Sequence, residues 1–64
     1  MLQVQARFTD TNGKGVGRWR NFYRAEDMQE ARWCAGHLVP SAQVRVMDGK
    51  TCVVTPRRVQ EWLS

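Results

Sequence analysis

Residues 2–9 alternate without a break, with Leu2, Val4, Ala6 and Phe8 at even positions and Gln3, Gln5, Arg7 and Thr9 at odd ones. A period of two marks a strand with one buried and one wet face. Turn chemistry follows at once. Asp10-Thr11-Asn12-Gly13 ends in Asn-Gly, which supplies the positive φ a hairpin wants, so a second strand over roughly Val16–Phe22 pairs back on the first. Unbroken alternation in that second strand sets Trp19 against Arg18 and Arg20. The expectation is a core Trp19 and two arginines facing solvent.

From Ala25 the period changes. Met28, Ala31, Ala35 and Leu38 recur at helical spacing with Cys34 beside them, so residues 25–38 read as one amphipathic helix. Glu26 and Asp27 fall in its first turn, where they favour the positive end of the dipole, and the usual capping residue is missing before it. Gly36 weakens its last turn and Pro40 forbids continuation. Ala42, Val44 and Val46 then alternate with Gln43, Arg45 and Met47 as a third strand. Asp48-Gly49 is a strong hairpin signal, and a fourth strand over Lys50–Thr55 follows. A two-residue loop there sets Val44 opposite Val53 in the core and Arg45 opposite Cys52 on the outer face. Thr55-Pro56 reads as an N-cap with proline at the first helical position, opening a short helix with Val59, Trp62 and Leu63 on one side. The fold expected is α+β: a four-stranded antiparallel sheet in ββαββ order, covered by one central helix, with a short C-terminal helix, as a single domain over 1–64.

A chain of 64 residues buries only about 60% of its unfolded surface, so each large apolar side chain counts. Cys34 and Cys52 are too few for a secreted disulfide scaffold. Free thiols are expected, with Cys34 under the helix and Cys52 on the outside of the hairpin. Neither a membrane-spanning apolar run nor the apolar core of a signal peptide occurs in the sequence, which makes a reducing cytoplasm the expected location.

Charge is distributed unevenly. Residues 1–24 carry +4, residues 25–38 carry −2 and residues 39–64 carry +2, against a formal net charge of +4. The candidate contact residues are therefore Arg7, Lys14, Arg18, Arg20 and Arg24, interleaved with Trp19, Phe22 and Tyr23. Cations attract phosphate regardless of sequence, and flat rings stack on bases or guanidinium groups. A solvated, aggregation-resistant strand edge is the plainer account of the same arginines. Trp33 joins the candidates because it is out of phase with the apolar stripe, on the face of Glu26, Glu30 and His37. It is either an exposed contact residue or a ring covered by the terminal helix.

Other chemistries find little support. Cys34-x-x-His37 has helical spacing for two metal ligands, but structural zinc wants four and the hairpin turns Cys52 away. The run Gly13-x-Gly15-x-Gly17 leads into a strand, whereas phosphate loops open a helix. One histidine without a carboxylate pair does not make an enzyme, so neither catalytic residues, metal, cofactor nor small-molecule substrate is expected. The partner classes left are nucleic acid and the protein complexes that process it.

Three resemblances bear on the target. The layout Phe8-Thr-Asp-Thr-Asn-Gly, Trp19-Arg-Asn-Phe, Ala25-Glu-Asp-Met-Gln-Glu-Ala and Val44-Arg-Val resembles very small phage-encoded accessory proteins, among them anti-CRISPR proteins of ββαββ topology. That likeness implies an inhibitor or modulator of a nucleic-acid-processing complex. The C-terminal half is similar to excisionase or MerR-type winged helices through Arg32-Trp33-Cys-Ala-Gly36-His-Leu-Val-Pro40, a Val44–Val54 wing and Val59-Gln-Glu-Trp62-Leu63. There the likeness implies DNA contacts by Arg32, Arg45 and Lys50. The N-terminal half also resembles the arm-binding domain of tyrosine integrases, which again implicates Arg18 and Arg20.

Overall fold

The alternating N-terminal segment becomes the strand on which the sheet is assembled. β1 (Leu2–Thr9) pairs antiparallel with β2 (Gly15–Ala25) on one side and with β3 (Ala42–Asp48) on the other. β4 (Thr51–Val54) completes the order β2-β1-β3-β4. These elements come from a computed structural model that describes residues 1–12, 14–39 and 42–63. α1 (Met28–Leu38) lies over β1, β2 and β3, and α2 (Pro56–Leu63) packs over β3 and against α1. The fold is thus the expected α+β sheet with helices on one face. No helix is long and apolar enough to cross a membrane among the described residues.

The core is thin and made of small side chains. Val4, Ala6, Val44, Val46 and Val54 from the strands meet Ala25, Ala31, Ala35 and Val59, and among the described residues no buried one is larger than valine. Alanine at two successive turns of α1 lets the helix settle close to the sheet, where larger side chains would hold it off. Trp62 and Leu38 pack on this cluster from its margin and are only partly buried. The Arg32 guanidinium donates to the Trp62 carbonyl at 3.3 Å, tying α1 to the end of α2.

Several local expectations need correction. α1 starts at Met28 rather than at residue 25, because β2 runs on to Ala25. It does have a cap: the Asp27 carboxylate accepts from the Glu30 backbone N–H at 2.8 Å. The second hairpin turns at Gly49-Lys50, not Asp48-Gly49, with Gly49 at φ 62°. Asp48 therefore opposes Thr51 and Met47 opposes Cys52, and an extra residue at Val53 brings Val54 opposite Val46. The expected Val44–Val53 and Arg45–Cys52 pairs do not form, although Cys52 does share the outer face with Met47. At α2 the expected cap is present, with Thr55 Oγ1 accepting from the Arg58 N–H at 3.3 Å. In the first loop Asp10 Oδ1 accepts from the Asn12 and Lys14 backbone N–H groups, both at 2.9 Å. The positive φ expected at Gly13, the stop expected at Pro40 and the side chain of Leu63 lie outside the described residues.

A core of this kind leaves no slack in either direction. Val46→Ala, which removes two buried carbons and leaves a void, is expected to cost about 2–3 kcal/mol. Ala35→Leu, which pushes α1 off the sheet, is expected to cost about 1–3 kcal/mol. Urea unfolding measures both, against a total of about 3–10 kcal/mol for a domain of this size. Wild-type midpoints for both variants would show that this layer is not the core.

Candidate nucleic-acid interface on the open sheet face

With both helices on one side, the odd residues of β1 and their register partners form an uncovered face. Gln3 stands between Arg24 and Met47, Gln5 between Asn21 and Arg45, and Arg7 beside Gln43. The carboxylates are elsewhere. Asp10 is in the first loop, Glu26, Asp27 and Glu30 surround the start of α1, Glu61 is on α2, and Asp48 is in phase with the core side. Three arginines thus share a sheet face on which no strand residue is acidic.

Trp19 organises this face. The guanidinium carbon of Arg7 lies over the indole ring 4.7 Å from its centroid, and that of Arg45 lies over it at 4.2 Å. Each contact is worth roughly 0.5–1 kcal/mol where exposed and more where desolvated; both arginines are half-buried. Neutral amides then orient the cations. Arg7 Nε donates to Gln43 Oε1 at 2.6 Å, Arg45 Nε donates to Gln5 Oε1 at 2.9 Å, and Gln5 Nε2 donates to Asn21 Oδ1 at 2.8 Å. Neither guanidinium has a carboxylate partner among the described residues, and the one Arg–carboxylate pair there joins Arg58 to Glu61 at 3.8 Å. Gly15 makes the crossing possible, since a Cβ there would lie 2.1 Å from Gln43 Oε1 and 2.2 Å from Arg7 Nε.

Trp19 was expected in the core and stands on the opposite face. Its displacement follows from irregularities in β2. Val4 opposes Tyr23 while Gln5 opposes Asn21, so Phe22 is an extra residue. A second irregularity lies between the Ala6–Arg20 and Phe8–Val16 pairs, where Gly17 takes φ 82°. One extra residue reverses which way the neighbouring side chains point, so the one at Phe22 moves Trp19 across the sheet, whereas the second irregularity adds two residues and leaves Arg20 and Val16 on the same side. Arg18 and Arg20 are exposed as expected, but Arg20 stands beside Ala6 on the helix side, and both line a groove there. The structure therefore separates the candidates. Arg7, Arg24 and Arg45 share the open face, Arg18 and Arg20 lie behind it, and Lys14 sits in the exposed first loop. Trp33 is 65% exposed, so α2 does not cover it. Its neighbours are His37, with ring centroids 4.3 Å apart, and a shallow acidic hollow of Asp27 and Glu30. The glycines at 15 and 17 mark the second irregularity, but the extra residue at Phe22 that moves Trp19 carries no glycine or proline to announce it.

No family model, curated protein or solved structure matches the chain. Its chemistry rests on its own residues. Among those described, no three His, Cys, Asp or Glu side chains gather to hold a metal. Tyr23 donates its hydroxyl to Glu30 across β2 and α1, and that bond, with a smaller contribution from burial, raises the phenol above its ordinary value. Burial, and then the Glu30 charge, also raise the Cys34 thiol.

Two measurements probe this geometry. Gly15→Ala is expected to drive Arg7 off the indole and break its bond to Gln43, costing about 1–2 kcal/mol. Ring-current shifts of the Arg7 side-chain protons report it directly, and unchanged shifts would contradict the close approach. For the thiols, a raised value means less thiolate at a given pH, so Cys34 reacts slowly with iodoacetamide near pH 8 while the exposed Cys52 reacts first. Peptide mapping of a short labelling pulse gives the order, and equal labelling would place Cys34 in solvent.

Proposed function

We propose that the protein is a non-catalytic module that binds the phosphate backbone of nucleic acid through its open sheet face. The observation that carries this reading is the pair of guanidiniums over Trp19, oriented by Gln5 and Gln43 and left without an acidic partner on that face. Stacked arginines held by neutral acceptors keep their full charge and outer N–H edges for an anion. Arg24, in register with Gln3, extends the same cationic surface. With its indole already occupied, the face offers a base guanidinium planes to stack on rather than a bare ring. The resemblance to integrase arm-binding sheets points the same way, although there it named Arg18 and Arg20. A second reading, an accessory protein that modulates a nucleic-acid-processing complex in the manner of small phage proteins, is favoured by Trp33. An indole so exposed on the helical side gives a protein partner an anchor away from the cationic face.

Mobility-shift or anisotropy titrations with 20-residue DNA and RNA at two salt concentrations test the first reading. Binding is expected to fall steeply with salt, because each neutralised phosphate releases counterions. Arg7→Ala with Arg45→Ala is expected to flatten the salt slope by about two, and Arg18→Ala with Arg20→Ala, which removes the same charge from the other side, to change it far less. Gln5→Glu with Gln43→Glu separates binding from folding. Giving the arginines carboxylate partners is expected to leave stability unchanged or raise it by up to about 1 kcal/mol while abolishing binding. Equal salt slopes for both arginine double variants would reduce the open face to a solubility device.

A further inference from the structure

The sheet outruns the helix that covers it. α1 ends at Leu38, whose side chain, with that of His37, only borders the groove in which Phe8 and Phe22 lie. Phe8 is 70% exposed and Phe22 is 56% exposed, so both phenylalanines of the chain face outward while the buried core holds nothing larger than valine among the described residues. A chain this short gains most from burying its largest apolar side chains, and exposing both rings sacrifices stability that a partner can restore. With Leu38 and Ala42 they line a groove of about 240 Å³ that Arg18 and Arg20 also line. Neither arginine has a carboxylate partner among the described residues.

We propose that this groove is a docking site for an acidic segment of a protein partner. An apolar side chain of that segment seats among Phe8, Phe22 and Leu38, and flanking Asp or Glu residues pair with Arg18 and Arg20. The lining selects against the other occupants. A second copy would set a chain of net charge +4 against its own arginines. Phosphate gains nothing from the apolar walls, and the phosphate-seeking surface described above is on the opposite face. An extended segment would also run beside β2, an edge strand whose outer backbone groups are open to pairing. The proposal does not rest on nucleic-acid binding by the open face, and different side chains test it.

The test is selection from a displayed library of random 12-residue peptides on the folded chain, followed by affinity measurement on synthetic copies of the enriched sequences. Enriched peptides are expected to carry an aromatic or aliphatic residue within two or three positions of Asp or Glu. Their affinity is expected to fall about tenfold or more in Phe22→Ala and in Arg18→Ala with Arg20→Ala, which is the range of interface hot spots. Phe22→Leu, which keeps an apolar side chain, is expected to retain binding, and Arg24→Ala with Arg45→Ala, neither of which lines the groove, to leave it unchanged. Amide spectra should show perturbation at Phe8, Phe22 and Leu38. Absence of acidic enrichment, or enriched peptides that bind the variants as well as wild type, would overturn the proposal. So would displacement of the peptide by a 20-residue oligonucleotide whose own binding needs Phe22, or capture of the groove by phosphatidylserine vesicles in preference to peptide.

Discussion

A strand that must bury every second residue dictates the faces of its neighbours as well as its own. Because Val4 and Ala6 of β1 are buried, Val44 and Val46 opposite them are buried too, and Gln5, Arg7, Gln43 and Arg45 are committed to the other face. Slipping β1 by one position would expose the valines and drive Arg7 into a layer with no acceptor for it. The core-side residues are small enough for α1 to approach through Ala31 and Ala35. The outer ones are long enough to reach across strands to one another. One register accounts for both the thin core and the polar network.

How much of this was legible depended on whether a segment's local pattern was interrupted. β1 and β3 alternate cleanly, and their faces follow from the sequence residue by residue. β2 does not, because the single extra residue at Phe22 reverses its phase, while the irregularity at Gly17 adds two residues and preserves it. Counting back by twos from the buried Ala25 therefore assigns Trp19 to the core, whereas its indole lies among arginines on the far side. The start of α1 was missed for a related reason: Asp27 looks like a first-turn acid until β2 is seen to run on to Ala25, when it becomes the cap. In the second hairpin, the bulge at Val53 restored the valine-to-valine contact of the core at Val54. The loop keeps its two residues and moves on by one. Of the candidate site, the cations were legible from composition and charge; their division between two faces was not.

That division gives the two surfaces different chemistry. The open face is rich in amides and guanidiniums around one indole, and its polar groups are partnered with one another. The groove behind it pairs two arginines with two exposed phenylalanines, so it rewards an occupant with an apolar part as well as a negative charge. A polyanion suits the first and an acidic, apolar-anchored peptide the second. Trp33 belongs to neither surface. It stands beside Asp27 and Glu30, where the local charge is negative and a basic surface would be the better match.

The choice of acceptors for Arg7 and Arg45 says most about what the open face is for. Stability alone would be served by carboxylates at positions 5 and 43, since charge-assisted hydrogen bonds are stronger than bonds to a neutral acceptor. Glutamine instead supplies the same reach and an oxygen in a similar position, but leaves both guanidinium charges uncompensated. Two cations over one indole repel each other, and the ring quadrupole and the amide dipoles offset that repulsion only in part. An approaching anion relieves what remains, and it meets donors that are already oriented. Side-chain entropy that a flexible surface arginine would lose on binding has here been lost on folding. Indole and amides together hold two uncompensated guanidinium charges in fixed positions on one face, which is what the proposed reading requires of it.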